Sequence, residues 1–367
     1  MTEETNTLIT PPLGTIYFYL TGDCNMACRH CWIAPTFEHS DISKKALPFE
    51  LFKKIITEAK ELGLNSVKLT GGEPFIHPDI IPILRYIRDE RLNISIESNG
   101  TTITPHHADL VRSCNRAFIS ISIDGSCDSH EWMRGVKGSF SRASQGVRNL
   151  VETGIHPQVI MAVAGKNRHE MAELAHYAAE LGASSVKYNF VTPTARGETM
   201  EHEGATVPVT DQIELSRWLQ NDLQKEIKIP VFTNLPLAFR SLSSLYGQNG
   251  NCGKCGIFTI IGVLADGTYA LCGIGTSVPE LCFGNASTDQ LKDIWEKTQV
   301  LNEIRENLPR GLKGICSHCL VRNICLGQCV ANNFYVYKDL LAGHKFCEDA
   351  YTMGVFPETR YAGVQIN

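Results

Sequence analysis

The stretch Thr15-Ile-Tyr-Phe-Tyr-Leu-Thr-Gly-Asp-Cys24-Asn-Met-Ala-Cys28-Arg-His-Cys31 decides how this chain is read. Its first six residues are β-branched, aromatic or aliphatic, the composition of a strand, and they run straight into a loop that carries three thiols. Thiolates so closely spaced wrap one metal centre. A tetrahedral zinc site or a four-iron cluster needs a fourth ligand, so one coordination position is left without a cysteine. A zinc site closed by His30, His39 or a distant residue would use the same thiols.

The pattern of this strand repeats outward along the chain. From Gly14 to about Pro193, β-branched runs alternate with amphipathic stretches that end in glycine, the signature of βα units. Strands are expected at Thr15 to Leu20, Ser66 to Leu69, Ile94 to Glu97, Phe118 to Ile123, Gln158 to Val163 and Ser185 to Phe190. Helices are expected at Pro48 to Leu62, Pro78 to Glu90, Pro105 to Ser113, Ser139 to Thr153 and His169 to Leu181. Several start at Pro and stop near Gly63, Gly154 or Gly182, as helix punctuation requires. Strands joined through helices pair in parallel by right-handed crossovers. The expected fold class is therefore α/β, a partial (β/α)6 TIM-like barrel with its active site at the carboxyl ends of the strands. The polar clusters Thr21 to Cys31, Thr70 to Pro74, Ser98 to Thr101 and Asp124 to Arg134 all follow strands and converge on that rim.

The division expected is an N-terminal arm over 1–14, the barrel core over 15–195, a helical and loop linker over 196–251, and a small metal-stapled domain over 252–367. The last opens with a hairpin-like run, Phe258 to Leu271, around Asp266-Gly267. With 367 residues, 43% hydrophobic and 20% charged, fibrous and disordered classes are out. Apolar runs such as Phe258 to Ala265 fall far short of the roughly 20 residues needed to cross a bilayer. Met1 to Gly14 lacks the basic start of a targeting peptide, so the chain is expected to be cytoplasmic. A net charge of -5 and the lack of a long Lys/Arg run offer no footprint for nucleic acid or an anionic membrane.

There are 14 cysteines, more than a reducing cytosol would leave as disulfides, which points to metal. Cys24, Cys28 and Cys31 form one group, Cys114, Cys127 and Cys282 are scattered, and the rest lie between Cys252 and Cys347.

On the spacing C-x3-C-x2-C after a first barrel strand, residues 15 to 195 resemble the radical S-adenosylmethionine (radical SAM) superfamily. The resemblance implies that Cys24, Cys28 and Cys31 hold a four-iron cluster whose remaining iron binds S-adenosylmethionine. It also implies a reductant such as flavodoxin or ferredoxin, and a deoxyadenosyl radical that abstracts hydrogen from unactivated carbon. Thr70-Gly71-Gly72-Glu73-Pro74 matches the family motif for the methionyl amine, with glycines for close backbone approach and a carboxylate for the ammonium. Ser98 and Asn99, and Ser122 with Asp124, match its ribose and carboxylate contacts. Arg134 matches the arginine that faces the cofactor carboxylate, for which a guanidinium fork is suited. His30 stands where an aromatic usually flanks the adenine, and Val191 would give the adenine an apolar or backbone contact.

Cys316-x2-Cys319-x5-Cys325-x3-Cys329 followed by Cys347, and preceded by Cys255-x11-Gly267-x4-Cys272, resembles the SPASM auxiliary-cluster domain. That likeness implies an outer cluster on Cys316, Cys319, Cys325 and Cys347. It implies an inner one on Cys255, Cys272 and Cys329, with Cys252 as its fourth ligand. Three [4Fe-4S] clusters are then expected, leaving Cys114, Cys127 and Cys282 as small buried hydrophobes. A fully ligated inner cluster suits electron relay. Sulfatase maturases of the family carry an Asp directly after the cysteine matching Cys272; here Gly273 stands there.

SPASM domains accompany peptide and protein modification, so the first expectation is a peptide maturase that forms a crosslink, an epimer or another oxidative modification. With about 14 residues ahead of the first strand, leader recognition would need a separate leader-binding protein or the catalytic domain itself. The alternatives are tailoring of a small metabolite or tetrapyrrole, and formylglycine formation of the sulfatase-maturase type. An electron carrier without catalysis would need neither the three-cysteine loop nor the Gly-Gly-Glu-Pro turn.

Overall fold

The computed structural model describes residues 10–35, 37, 46–242, 245 and 255–362; Cys252 and His39 lie outside these. The six expected βα strands are present as β1 (Thr15–Tyr19), β2 (Ser66–Thr70), β3 (Asn93–Ser98), β4 (Asn115–Ser122), β5 (Gln158–Val163) and β6 (Ser185–Phe190). They pair in parallel in chain order and do not close into a ring, which gives the partial barrel. Between them run α1 (Phe49–Glu61), α2 (Ile80–Asp89), α3 (Pro105–Ser113), α4 (Cys127–Arg134), α5 (Ser139–Glu152) and α6 (Met171–Glu180).

Alternate residues of each strand divide the two faces. Ile16 and Phe18, Val67 and Leu69, Ile94 and Ile96, and Val186 and Tyr188 are buried in the main core, which also holds Phe52, Ile55, Ile83 and Ile87 of the helices. The Phe18 and Phe52 rings stand 4.5 Å apart. The opposite residues, Tyr17 and Tyr19, Lys68 and Thr70, Ser120 and Ser122, Lys187 and Asn189, face the inside of the barrel.

Three features differ from the sequence reading. Cys127–Arg134 is a helix, although its polar composition reads as loop; Gly135, at φ 70°, ends it in the left-handed conformation. After Pro193, α8 (Val209–Trp218) forms within the expected helical linker, but α7 (Arg196–His202) and a short strand, β7 (Val231–Thr233), which extends the sheet beyond β6, were not expected. The hairpin of β8 (Ile260–Val263) and β9 (Thr268–Ala270) forms as expected, yet β8 also pairs in parallel with β1, Thr15 opposite Ile260. β10 (Cys282–Asn285) adds to β9, so one ten-stranded sheet runs from the C-terminal hairpin to β7. The free edge of β1 explains this: a buried strand needs both rows of backbone groups paired, and β2 fills only one.

No helix among the described residues is long and apolar enough to cross a membrane.

Candidate functional site

The three-cysteine loop is held on several sides. Gly72 N–H donates to Thr21 O at 2.9 Å and Glu73 N–H to Asp23 O at 3.1 Å, while Ala27 N–H and Arg29 N–H donate to Arg134 O and Met133 O at the end of α4. Asn99 Nδ2 donates to Asn25 Oδ1 at 2.8 Å. A Cβ on Gly72 would stand 1.7 Å from Asp23 O, so only glycine lets these two loops touch. Burial raises the thiols of Cys24 and Cys28; the neighbouring Glu73 carboxylate raises Cys24 further, whereas Arg134 pulls Cys28 down. A cation between the thiols would reverse that balance and bind them as thiolates.

A cavity of about 450 Å³ opens beside this loop, within the range of ligand pockets. Cys24, Cys28 and Cys31 line it together with Gly71, Gly72, Ser98, Asn99, Ser122, Arg134, Val191 and His30. Most residues assigned from the cofactor motifs thus line one cavity. Glu73, Pro74 and Asp124 stand behind it. Glu73 is buried and accepts from Phe75 N–H, Ser98 Oγ and Asn99 N–H, which ties the β2 loop to the β3 loop. The buried His30 Nδ1 has no hydrogen-bond partner, and burial holds the imidazole neutral, its pKa lowered to about 4. A neutral ring with an unanswered nitrogen, beside glycine backbone, fits an adenine-bearing cofactor.

At the edge of the cavity, Arg134 Nε lies 2.6 Å from Asp124 Oδ2 and Nη2 lies 3.0 Å from Oδ1, with neither side chain appreciably exposed. Nη1 also donates to Cys28 Sγ at 3.5 Å. Asp124 Oδ1 accepts from Ala162 N–H, so the pair braces the loop against β5. Burial opposes the Asp124 charge, but the guanidinium overrides it and holds the carboxyl below its ordinary range. A depressed carboxylate stabilises the fold above its unfolded pKa of about 4, and that stability is lost as pH falls through the lower folded value. Asp124→Asn leaves a buried guanidinium without its counter-charge and should cost about 3–5 kcal/mol in urea unfolding at neutral pH. A loss below about 1 kcal/mol would contradict this role.

Sequence reasoning missed a second polar set inside the barrel. Lys68 Nζ lies 2.6 Å from Glu97 Oε1 and 4.9 Å from the centre of the Tyr17 ring, and Lys187 and Asn189 stand across the same cavity. Strands of a parallel sheet covered on both faces normally read as unbroken hydrophobic runs. Charged residues inside Ser66–Thr70, Asn93–Ser98 and Ser185–Phe190 were the signal available.

Four thiols expected to act together, Cys316, Cys319, Cys325 and Cys347, line one small enclosed gap with His344. His344 N–H donates to Cys316 Sγ at 3.4 Å, and burial pushes that thiol up to about 12. Cys255, Cys272 and Cys329 form the second set: burial raises all three, and Cys329 raises both of the others further. Among the described residues no three His, Cys, Asp or Glu side chains close on a single metal ion. Thiols spread around a gap suit a cluster, whose ligands bind different irons. Of the remaining cysteines, the Cys114 thiol is buried against Leu84 O and Leu110 O, and the half-buried Cys282 bonds Gly275 O; Cys127, contrary to expectation, is exposed, because it opens α4 with its thiol turned to Glu131 and off the cavity.

The Tyr19 ring joins the two regions. It meets Trp32 edge-on at 6.3 Å, and a Cβ on Gly273 would fall 2.2 Å from it. An Asp at that position would collide with the ring.

Comparison with known proteins agrees with this layout. The family model "Radical SAM superfamily" matches residues 18–178, and the SPASM model, "Iron-sulfur cluster-binding domain", matches residues 248–320. The chain is 29% identical over 353 residues to the AdoMet-dependent heme synthase of Methanosarcina barkeri, covering 90% of this chain and 95% of that one. It is 27% identical over 352 residues to the mycofactocin maturase MftC of Mycobacterium ulcerans, covering 94% and 90%. Its fold superposes on Streptococcus suis SuiB bound to the precursor peptide SuiA with a TM-score of 0.71 at 17% identity, covering 93% of this chain and 76% of that chain. With the cysteine loop, the glycine turn and the C-terminal thiol sets in these places, the chain carries a radical SAM domain followed by a C-terminal SPASM domain.

Proposed function

We propose that this protein is a radical SAM maturase that modifies a ribosomally made peptide or protein by hydrogen abstraction. The observation that carries the reading is the cavity, walled on one side by Cys24, Cys28 and Cys31 and joined through Tyr19 to the backbone beside Cys272. Cys24, Cys28 and Cys31 would hold the first cluster, and Cys316, Cys319, Cys325 and Cys347 the outer auxiliary one. Cys255, Cys272 and Cys329, with Cys252, would hold the inner one. The chemistry available with a cluster and S-adenosylmethionine bound in the cavity is reductive cleavage of the sulfonium to a deoxyadenosyl radical that takes hydrogen from the substrate. The chain's own residues then position and insulate. Gly71 and Gly72 admit the cofactor backbone-close, the neutral His30 flanks it, and the Asp124–Arg134 pair keeps Cys28 in place. The peptide class is supported by the likeness to the mycofactocin maturase along nearly the whole chain.

A second reading, tailoring of a tetrapyrrole, is favoured by the equally extended likeness to the heme synthase. Formylglycine formation is disfavoured by the Tyr19 ring where an Asp side chain at position 273 would have to pass.

Anaerobic reconstitution should load about 12 irons per chain, for three four-iron clusters. The loaded protein should form deoxyadenosine with S-adenosylmethionine and a strong reductant. Incubation with peptides encoded near its gene, and separately with porphyrins, should give a mass change in one class alone. Zinc in place of iron, or iron for a single cluster, would overturn the cluster assignment; a mass change only in the porphyrin would select the second reading.

A further inference from the structure

Lys187 sits on β6 with its side chain toward the cavity. Across from it, Glu97, the one carboxylate lining the cavity among the described residues, is already engaged: it forms the 2.6 Å ion pair with Lys68, and its other oxygen accepts from Thr70 Oγ1. Lys187 itself makes no ion pair or hydrogen bond among the described residues. Two lysines facing one carboxylate leave the chamber with an unanswered positive charge. Two residues along the same strand face, the buried Asn189 Oδ1 also has no hydrogen-bond partner.

Such a pair is costly to leave without a ligand. A largely buried ammonium is disfavoured unless an anion meets it, and here burial, helped by Lys68 and Arg240, lowers the Lys187 pKa while Glu97 offsets it only in part. Apart from Val191, just past the end of β6, the residues matched to the cofactor follow β1 to β4, whereas Lys187 and Asn189 stand within β6. The unanswered charge therefore belongs to the part of the chamber left for substrate.

We propose that Lys187 and Asn189 form the seat for a carboxylate of the substrate, with the ammonium pairing the anion and the Asn189 amide bonding the group beside it. This rests on reading the cavity as the substrate chamber. Asn189 accepts an N–H as placed, and with its amide turned over it donates to the carboxylate itself. The shared chemistry is a carboxylate held near the cofactor, and it has two sources: an acidic side chain or C-terminus of a peptide, or a propionate of a tetrapyrrole.

The test uses the anaerobically reconstituted protein with S-adenosylmethionine bound. Acylation by an acetyl succinimidyl ester is read at Lys187 by peptide mass spectrometry, with the exposed Lys225 as internal control. Glutarate should slow labelling of Lys187 by roughly tenfold, the worth of a charge-assisted bond, and leave Lys225 unchanged; glutaramide should protect neither. Calorimetric affinity for glutarate should fall by a similar factor in Lys187→Met and largely survive in Lys187→Arg. Protection by the capped tripeptide Ala-Glu-Ala but not by mesoporphyrin assigns the carboxylate to a peptide, and the reverse to a tetrapyrrole. Equal labelling with and without glutarate, equal protection by glutaramide, or undiminished glutarate affinity in Lys187→Met overturns the seat. Deoxyadenosine formed by the same sample reports separately on the radical reading: protection without deoxyadenosine would sink that reading and leave the seat standing.

Discussion

Cys28→Ala should abolish deoxyadenosine formation and remove about four irons per chain, leaving the iron of the C-terminal thiols in place. Two thiols on a short loop cannot retain a cluster that already has one iron without a cysteine. The loop itself should persist, because backbone bonds from Ala27 and Arg29 to the end of α4 hold it, and the thiol does not. Arg134 would lose its contact with Cys28 Sγ but keep both of its contacts with Asp124. The far-ultraviolet circular dichroism of the variant should match the parent. Cleavage of S-adenosylmethionine at the parent rate by well-folded variant protein would remove Cys28 from the site.

Cys272→Ala should separate two activities that run together in the parent. On the proposed reading deoxyadenosine formation rests on the β1 loop and should continue, while modified product should fall to background if the inner cluster takes up the electron left after hydrogen abstraction. The route is built into the packing: Cys272 follows β9, Gly273 lies against the Tyr19 ring, and Tyr19 meets Trp32 of the first loop. If the inner cluster only staples its domain, folded yield and both activities should fall together. Both products should be measured on soluble, size-selected protein. Normal product yield from a variant shown to lack the inner cluster refutes the relay.

The six βα strands were legible because hydrophobic runs and helix punctuation are local signals, and the thiol sets because ligand spacing is read along the chain. The helix Cys127–Arg134 was missed because Asp128, Ser129, His130 and Glu131 look like loop. Its short apolar side, through Met133, packs in a satellite cluster with Val191 and away from the main core. β7 has only three residues, too few for a period to show. The hairpin Phe258 to Leu271 was legible, but its parallel partner was not: which edge a strand joins depends on a segment most of the chain away. Arg134 and Asp124 were each assigned to the cofactor from their motifs, and nothing in the sequence says that they meet each other first. Lys68, Glu97 and Lys187 went unread because a charge inside a strand becomes informative only once both faces of the sheet are known to be covered.

The parallel pairing of β1 with β8 also orders events during translation. β1 leaves the ribosome first among the strands and acquires β2 soon afterwards, but its other edge stays bare until Ile260–Val263 has been made. A bare edge of this composition is a template for pairing with the wrong strand, and contacts between distant segments form slowly. The cysteine loop that hangs from β1 is therefore synthesised early and braced late. Iron delivered before then would meet three thiols on a strand still open on one side, so metal loading fits best once the hairpin has been made and has closed that edge.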